Sequence, residues 1–229
     1  MTDVTSPDPA RTAPAPIHVD PWVLADVAYA RYYNPHEVLG AHVGTDGITI
    51  RTVRHLADNV TVLTTEGSYP ATHEQDGIWV AVLPGTEIPD YRLAVTYGED
   101  TTTVDDPYRY LPTLGEMDIY LISEGRHEDL WNVLGAHLKR YPGPMGEVEG
   151  TAFAVWAPNA RAVRVVGDFN YWDGTATAMR SLGSSGVWEL FVPGVGVGAR
   201  YKFEICFQDG SWHQKADPLA RATEVPPAT

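Results

Sequence analysis

The chain of 229 residues carries a formal net charge of -14 at pH 7, and 20% of its residues are charged. With this acidic balance and no basic stripe, the sequence excludes nucleic acids and anionic membrane surfaces as partners, whereas a neutral ligand is compatible with it. Cys206 is the only cysteine, which excludes an intramolecular disulfide and favours a reducing compartment. The sequence shows neither a basic start followed by an apolar run nor a stretch of membrane-spanning length, so we expect a cytoplasmic protein.

Residues 1–19 are predicted to form a disordered tail, because Pro, Ala, Thr and Asp dominate most of this segment without an apolar period. A short helix is predicted next, with Asp20 as its N-cap and Pro21 as its first residue. Asn34-Pro35 ends this helical segment, since the residue before a proline disfavours the α region. The predicted apolar face consists of Trp22, Val23, Val27 and Tyr29.

An internal repeat organises the rest of the chain. The sequence Val-Leu-Gly-Ala-His at residues 38–42 recurs at residues 133–137. Four further matches follow in the same order: Gly77-Ile78-Trp79 with Gly186-Val187-Trp188, Pro84-Gly85 with Pro193-Gly194, residues 91–95 with 201–205, and Asp106-Pro107 with Asp217-Pro218. The offset grows from 95 to 111 residues, as loop insertions would make it. One domain type is therefore predicted to occur twice.

Each copy is predicted to consist of short antiparallel strands. Residues 91–97 and 201–207 alternate apolar and polar side chains with the period of two that marks a half-buried strand. Further strands are predicted at residues 60–63, 78–83, 153–156, 163–166 and 187–192. The fold class is therefore all-β. We expect two tandem immunoglobulin-like β-sandwich domains, at residues 20–122 and 123–229, with the short N-terminal helix and a short linking helix at residues 127–133.

No catalytic residue is predicted. Glycosidic chemistry requires two carboxylates that flank one bond in a cleft, whereas the acidic residues here stand at turns such as Asp105-Asp106 and Asp209, where they cap their own backbone. The 8 His residues lack metal-ligand spacing, and the chain shows neither a phosphate-binding glycine loop nor a nucleophile elbow. We therefore expect no metal and no cofactor.

The second copy carries residues suited to binding a sugar. Trp172 is predicted to lie on a loop with Asn170 and Asp173, Trp212 in a second loop, and Lys202 on the outward face of its strand. An aromatic ring stacks on the apolar face of a glucose ring, while Asn, Asp or Lys hydrogen-bonds its hydroxyls. These five residues are the candidate glucan-binding set. Spacing alone leaves an alternative open, in which Trp172 packs on its own loop and Trp212 is merely half-exposed.

The first copy lacks this set. Gly67-Ser68-Tyr69-Pro70 stands at the position of Trp172, three threonines (residues 101–103) stand near that of Trp212, and Arg92 replaces Lys202. The first copy is therefore predicted to be a spacer or docking domain.

Two further groups of residues are predicted to be structural. Gly40 and Gly135 permit a tight bend, and His42 and His137 are predicted to bond nearby backbone. The tryptophans within predicted strands are expected in the core; they are Trp79, Trp156 and Trp188.

Several of these motifs resemble known families. Asn34-Pro35-His36-Glu37-Val38-Leu39-Gly40-Ala41-His42 resembles the opening motif of bacterial glycogen branching enzymes. In the second copy, the runs at residues 153–160, 165–170, 172–174, 186–191, 201–205 and 215–218 resemble carbohydrate-binding module family 48. The resemblance covers roughly residues 22–229, and the doubled arrangement favours actinobacterial-type branching enzymes over debranching relatives.

The resemblance implies a non-catalytic N-terminal part of a 1,4-α-glucan (glycogen) branching enzyme, which positions α-glucan such as glycogen or maltooligosaccharides. It would dock on a family 13 glycoside hydrolase barrel, and the full enzyme would transfer α-1,4 chains to α-1,6 branch points. The barrel motifs are not among these residues, so no catalytic residue is carried over. The module is also similar to the glycogen-binding domain of the AMP-activated protein kinase beta subunit, whose glucan platform matches Trp172, Lys202 and Trp212. Residues 175–179 depart from the His-Pro-Met that is usual in the family.

Two alternative functions remain open from the sequence. One is a stand-alone α-glucan-binding or regulatory module, and the other is a purely structural pair of sandwiches whose aromatic residues serve packing alone. A neighbouring or continuous reading frame that encodes the barrel would favour the branching-enzyme interpretation. Burial of both Trp172 and Trp212 would favour the structural one.

Overall fold

A computed structural model describes residues 14–225, and within them the predicted all-β class is confirmed: antiparallel sheets make up most of the regular structure. Residues 1–13 of the predicted disordered tail lie outside the described residues. The tail prediction is wrong for its last residues, because Ile17 is held on the first sandwich. The Ile17 N–H donates to Thr49 Oγ1 at 3.0 Å, and its carbonyl accepts from Arg51 Nη2 at 2.6 Å.

The N-terminal helix α1 (Pro21–Ala28) begins where it was predicted to begin. Asp20 has extended geometry and caps the helix through its carbonyl, which accepts from the N–H groups of Val23 and Leu24, rather than through its side chain. The helix ends before Tyr29, earlier than expected, because Ala30 adopts a positive φ of 56°. The buried face is formed by Val23, Leu24, Val27 and Ala28, so the predicted face was wrong in including Trp22 and Tyr29, which are exposed.

The first sandwich consists of two four-stranded antiparallel sheets. Its strands are β1 (Gly40–Val43), β2 (Ile48–Val53), β3 (Asn59–Thr64), β4 (Ser68–Pro70), β5 (Thr72–Gln75), β6 (Ile78–Leu83), β7 (Tyr91–Tyr97) and β8 (Asp100–Val104). One sheet has the order β1-β2-β6-β5 and the other β4-β3-β7-β8. The inward residues of β2, β3, β6 and β7 form a buried apolar cluster between the sheets.

The second sandwich repeats this plan with a four-stranded and a three-stranded sheet. Its strands are β9 (Gly135–Tyr141), β10 (Val148–Trp156), β11 (Ala162–Gly167), β12 (Arg180–Ser181), β13 (Val187–Pro193), β14 (Tyr201–Cys206) and β15 (Trp212–Lys215). The sheet orders are β12-β13-β10-β9 and β11-β14-β15.

The segment between the sandwiches contains a helix that lies earlier than predicted. This helix, α2 (Glu116–Ser123), begins after Gly115, whose N–H donates to Asp118 Oδ2 at 3.2 Å. The linking helix expected at residues 127–133 is reduced to a 3₁₀ turn at Leu130–Asn132. The ring of His127 hydrogen-bonds Asp118 Oδ1 at 3.1 Å and so bends this segment back towards α2 instead of extending a helix.

The repeated Leu-Gly-Ala-His sequence forms the same turn in both copies. Gly40 and Gly135 have φ values of 84° and 93°, which favour glycine over other residues. A Cβ on Gly40 would stand 2.4 Å from the Tyr108 carbonyl oxygen. His42 Nε2 lies 3.1 Å from the Leu39 carbonyl oxygen, and His137 Nε2 lies 2.9 Å from that of Leu134. The predicted structural role of these residues is confirmed.

A tyrosine–aspartate hydrogen bond also recurs. The Tyr91 hydroxyl donates to Asp106 Oδ2 at 2.7 Å in the first sandwich, and the Tyr201 hydroxyl donates to Asp217 Oδ2 in the second. Each bond joins the start of one strand to the Asp-Pro turn after the next. Burial raises the pKa of Asp106, while the Tyr91 hydrogen bond and neighbouring arginine charge act in the opposite direction. The sequence repeat is therefore a repeat of specific hydrogen bonds.

The three strand tryptophans differ in burial. Trp188 is buried at 3% exposure and Trp79 is partly buried, but Trp156 is 58% exposed. The prediction of Trp156 as a core residue was wrong: residues 150–155 of β10 are all buried, and Trp156, the last residue of the strand, is exposed. Its Nε1–H donates to the Ser185 carbonyl at 3.1 Å.

The two sandwiches are joined by a continuous buried interface. One apolar cluster contains residues of α1 and β6 together with residues of β10, β11 and β14. The Ala178 N–H donates to the Tyr108 hydroxyl at 3.0 Å, and the Met145 N–H donates to Asp90 Oδ2 at 2.7 Å. The first sandwich therefore contacts two loops of the second, one of which leads from Trp172 to β12.

Candidate functional site

The candidate site is built on the outer face of β11, β14 and β15. In the antiparallel register Val166 lies opposite Lys202, Arg164 opposite Glu204, and Trp212 opposite Cys206. Directly opposed residues point to the same side of a sheet, so Lys202 and Trp212 share one face. The other face carries Phe203 and packs into the core.

The loop after β11 holds Trp172 in an unusual backbone conformation. Tyr171 and Trp172 are consecutive residues with positive φ, 53° and 63°. The Trp172 N–H donates to the Gly167 carbonyl at 3.0 Å, and its indole Nε1–H donates to Asp168 Oδ1 at 3.2 Å. Arg200 Nε donates to Asp168 Oδ2 at 2.8 Å, and this hydrogen bond lowers the pKa of the Asp168 carboxyl group. The indole of Trp172 is thus oriented by an ion pair.

Asn170 organises the same loop from within. Its Oδ1 accepts from the Gly167 N–H at 2.9 Å, and its Nδ2 donates to the Val165 carbonyl at 3.0 Å and to Thr177 Oγ1 at 2.9 Å. Both N–H bonds of the amide therefore have partners inside the protein. This geometry makes Asn170 a positioning residue for the loop, and its predicted direct contact with glucan stays a prediction.

Asp173 and Lys202 keep more of their polar groups free. Asp173 is exposed, and one of its carboxylate oxygens accepts from the Thr175 N–H at 3.0 Å in a turn. Lys202 is half-buried by its stem, and within residues 14–225 no carboxylate forms a salt bridge with its ammonium group. Lys202 can donate to a ligand hydroxyl, and Asp173 can accept from one.

Trp212 is the first residue of β15, so its predicted position in a loop was wrong. It lies on the strand because pairing with Cys206 continues the β14 ladder directly after a tight turn at Gly210, which has a φ of 85°. The guanidinium carbon of Arg164 lies 4.2 Å from the centroid of the Trp212 ring. Arg164 Nε donates to Glu204 at 2.5 Å, which holds the cation against one face of the indole.

The structure places Lys202 and Trp212 on one face of this sheet and the loop of Trp172 at its end. Gly167 lies opposite Tyr201, which places the Trp172 loop at the same end of the sheet as Lys202. Trp212 lies towards the other end, because its partner Cys206 is four positions along β14 from Lys202, a distance of about 13 Å along a strand. The site is a strip with an indole near each end and Lys202 close to the first.

Both indoles are half-buried, and neither is in the core. Full burial of Trp172 and Trp212 was the observation that would have favoured a purely structural role. The loop also has one residue that the sequence analysis did not single out, Tyr171, which is 94% exposed. Its position beside Trp172 in the Phe-Asn-Tyr-Trp-Asp-Gly run was the signal available in the sequence.

The corresponding face of the first sandwich has different chemistry. Arg92 lies where the second sandwich has Lys202, and it forms salt bridges with Asp90 at 2.9 Å and Asp105 at 3.2 Å. Its side chain is only 12% exposed. The neighbouring positions on β3, β7 and β8 are mostly small and polar, as in the Thr96–Thr101 hydroxyl pair at 2.9 Å. This face has a cation already paired with acidic groups and no indole.

A cavity of ≈ 730 Å³ lies elsewhere. It is lined by parts of β9 and β10, the loop before β14 and residues 216–224. Trp172, Lys202 and Trp212 are not in its lining. Residues 14–225 contain no group of three or more His, Cys, Asp or Glu side chains placed to hold a metal ion, and no helix among them is long and apolar enough to span a membrane.

Comparison with known proteins matches both halves of the chain. Residues 20–108 match the model of the alpha-1,4-glucan branching enzyme GlgB N-terminal domain, and residues 133–220 match that of carbohydrate-binding module 48 (isoamylase N-terminal domain). The chain is 60% identical over 200 residues to the 1,4-alpha-glucan branching enzyme GlgB of Thermobifida fusca (strain YX), covering 86% of this chain and 27% of that protein. It is 58% identical over 202 residues to the protein of the same name from Frankia casuarinae, covering 86% and 25%.

The chain therefore spans about a quarter of the length of these curated relatives. Among solved structures, a pullulanase from Anoxybacillus sp. LM18-11 aligns at a TM-score of 0.33 with 19% identity, covering 81% of this chain and 26% of that one. A likeness this low adds no support for fold or function.

Proposed function

Because the chain belongs to the N-terminal region of the 1,4-α-glucan branching enzyme family, we propose that it binds α-glucan on the outer face of β11, β14 and β15. In this proposal it is the non-catalytic part of an enzyme that transfers α-1,4 chains to α-1,6 branch points of glycogen. It works in the cytoplasm, together with a catalytic family 13 barrel. Its ligands are glycogen and maltooligosaccharides rather than nucleic acids or membranes.

The observation that carries the proposal is the outer face of β11, β14 and β15, where Lys202 and Trp212 point to the same side and the loop of Trp172 follows β11 at the Lys202 end. Both indoles are half-exposed there, and Lys202 has no salt-bridge partner among the described residues. The matched face of the first sandwich offers Arg92 already paired with Asp90 and Asp105. The contrast supports a binding role for one sandwich only.

The chemistry of the face suits a neutral, hydroxyl-rich polymer. A glucose ring presents an apolar face of C–H groups, which an indole covers with little loss of conformational entropy. Lys202 supplies three N–H donors for hydroxyl oxygens, and Asp173 supplies an acceptor. Arg164 and Glu204 neutralise each other beneath Trp212, so this pair leaves no uncompensated charge under the ring on which a sugar would stack.

Affinity electrophoresis in glycogen-containing gels tests the proposal. The wild-type chain should be retarded, and a Trp172→Ala, Trp212→Ala double variant should lose that retardation. Each stacking contact is worth about 1–3 kcal/mol by analogy with aromatic stacking on nucleic-acid bases, so the loss should be easily visible. Circular dichroism and thermal unfolding establish that both proteins are folded.

A matched control uses two tryptophans that are exposed elsewhere. Trp22 is 64% exposed and Trp131 is 58% exposed, and both lie outside the candidate strip. The Trp22→Ala, Trp131→Ala variant should migrate as the wild type does. A folded wild type that glycogen does not retard would contradict the proposal and leave a structural pair of sandwiches.

A further inference from the structure

We propose that Tyr171 is a further glucan-contacting residue, held in a strained backbone conformation so that its ring stacks on a glucose unit next to the one on Trp172. This inference rests on the proposed function, because it names an additional contact of the same site.

The first observation is the exposure of Tyr171. At 94% it is the most exposed large apolar or aromatic side chain in residues 14–225. A side chain in this state contributes almost no packing to the fold. Its ring nevertheless exposes apolar surface to water directly beside the half-buried Trp172, which is unfavourable in the free protein. The structure gives Tyr171 no stabilising role that would account for an aromatic residue here.

The second observation is the backbone. Tyr171 has φ 53° and ψ 30°, and Trp172 follows with φ 63°. Residues other than glycine, asparagine and aspartate rarely adopt this left-handed region, and two aromatic residues in succession do so only when their surroundings enforce it. Asparagine at position 171 would fit the same backbone with less strain. Tyr171 therefore adopts a backbone conformation that tyrosine disfavours, and such strained conformations are typical of functional positions.

The third observation is that the loop is fixed from both sides. Asn170 bonds across the loop to Gly167, Val165 and Thr177, and the Trp172 N–H closes it on the Gly167 carbonyl. A Cβ on Gly167 would stand 2.3 Å from the Arg200 carbonyl oxygen, so the backbone at the base of the loop is tightly enclosed. These contacts define the direction of Tyr171 before any ligand arrives, which lowers the entropy cost of binding.

The ligand class follows from the groups around the ring. Asp168 and Arg200 form an ion pair at the base of the loop, and the exposed carboxylate of Asp173 is a hydrogen-bond acceptor for hydroxyl groups. A tyrosine combines a flat apolar face with a hydroxyl donor and acceptor, the combination that a sugar ring requires. Together with Trp172 and Lys202 it would extend the aromatic strip beyond the end of the sheet, towards the next unit of a glucan chain.

The test compares Tyr171→Asn and Tyr171→Phe in the same glycogen gels, with thermal unfolding measured in parallel. Tyr171→Asn should weaken glycogen affinity by about three- to tenfold while raising the melting temperature by about 2–4 °C, because asparagine relieves the left-handed strain. Tyr171→Phe should keep most of the affinity and leave the melting temperature unchanged. Tyr120→Asn, at an exposed tyrosine of α2 (56%), is the matched control and should not alter affinity.

Three outcomes decide between the claims. Weaker binding together with higher stability supports the contact role, since a merely structural residue would not show this opposite pair of effects. If Trp172→Ala abolishes retardation but Tyr171→Asn migrates as the wild type does, the Tyr171 contact is refuted and the proposed function stands. If glycogen does not retard the folded wild type, both are refuted.

Discussion

The two sandwiches share their internal hydrogen bonds but not their surfaces. Both copies have the glycine turn with its histidine–carbonyl bond, and both have the tyrosine–aspartate bond that ties a strand to an Asp-Pro turn. By contrast, the outer face of the first copy carries a paired arginine and threonines, and that of the second carries Trp212 and a lysine without a salt-bridge partner among residues 14–225, with Trp172 on the adjoining loop. The bonds that define the fold have been kept in both copies, whereas the residues free to contact a ligand have diverged.

The largest expected effect concerns a buried charge that only the second copy has. Glu189 is completely buried and accepts from Arg180 and from the backbone and hydroxyl of Thr113, whereas the first copy has Val80 at the matching position. Glu189→Ala should lower the free energy of unfolding by about 3–5 kcal/mol, because it leaves Arg180 buried without a partner. Urea unfolding measures this.

Two further variants serve as comparisons for Glu189→Ala. Arg180→Met with Glu189→Val imitates the apolar position of the first copy and should recover most of the lost stability. Arg140→Ala, which removes an exposed pair with Glu149 at 2.9 Å, should cost less than about 1 kcal/mol. A cost for Glu189→Ala as small as that of Arg140→Ala would contradict the expected importance of this buried pair.

The next largest expected effect is a pH dependence of stability caused by His36. Its counterpart in the repeat, Trp131, is exposed. Both ring nitrogens of His36 are buried without a hydrogen-bond partner among the described residues. Burial, assisted by the charge of Arg180, lowers the pKa of His36 from 6.5 to about 2. The unfolded chain therefore binds one more proton than the folded chain between these two values. Stability is complete above pH 6.5 and is lost as the pH falls below it, by about 1.4 kcal/mol per pH unit.

His36→Phe removes this proton uptake. Relative to the wild type, the variant should gain stability by about 2.3 kcal/mol between pH 6.5 and pH 4.5, measured by urea unfolding at several pH values. Carboxyl groups whose pKa is lowered by hydrogen bonds, such as Asp90, titrate mainly below this range and affect both proteins alike. Parallel pH profiles for the two proteins would show that His36 is solvated in the folded state.

The smallest expected effect on stability compares the two matched cations. Lys202→Ala should leave the free energy of unfolding within about 0.5 kcal/mol of the wild type while weakening glycogen binding. Arg92→Ala should cost about 1.5–3 kcal/mol, because it leaves two nearly buried carboxylates with fewer partners, and should not change binding. A binding defect in Arg92→Ala, or a large stability defect in Lys202→Ala, would remove the functional distinction between the copies.

Most of the strand framework could be predicted from the sequence. β6, a continuous apolar run, and β7, with clear apolar alternation, have the predicted bounds. Other strands were missed for physical reasons. In β2 every residue is buried, including Arg51, whose Nε donates to Glu74 at 2.7 Å. Because several of these residues are polar, their types did not indicate a buried strand. In β8 the threonine run is exposed and pairs only at one edge of its sheet.

The candidate site was predictable in part. Period-two reasoning placed Lys202 on the outward face, and the repeat isolated the residues that the first copy lacks. Two features depend on pairing between distant segments. One is the position of Trp212 on β15, and the other is the Arg164 guanidinium over its ring. The consecutive positive φ values at Tyr171 and Trp172 were not predictable either, because aromatic residues rarely adopt them and only the surrounding hydrogen bonds impose them.

The hydrogen bond from the Ala178 N–H to the Tyr108 hydroxyl has a consequence for how these repeats can be recombined. Ala178 also forms a bridge with Arg164, the residue beneath Trp212, so a tyrosine of the first repeat supports the loop that carries Trp172 in the second. Cut away from its neighbour, the second repeat would have an amide without its partner at the base of that loop. A graft of the second repeat alone would therefore need a new acceptor for the Ala178 N–H, whereas a transfer of both repeats together would keep the native one.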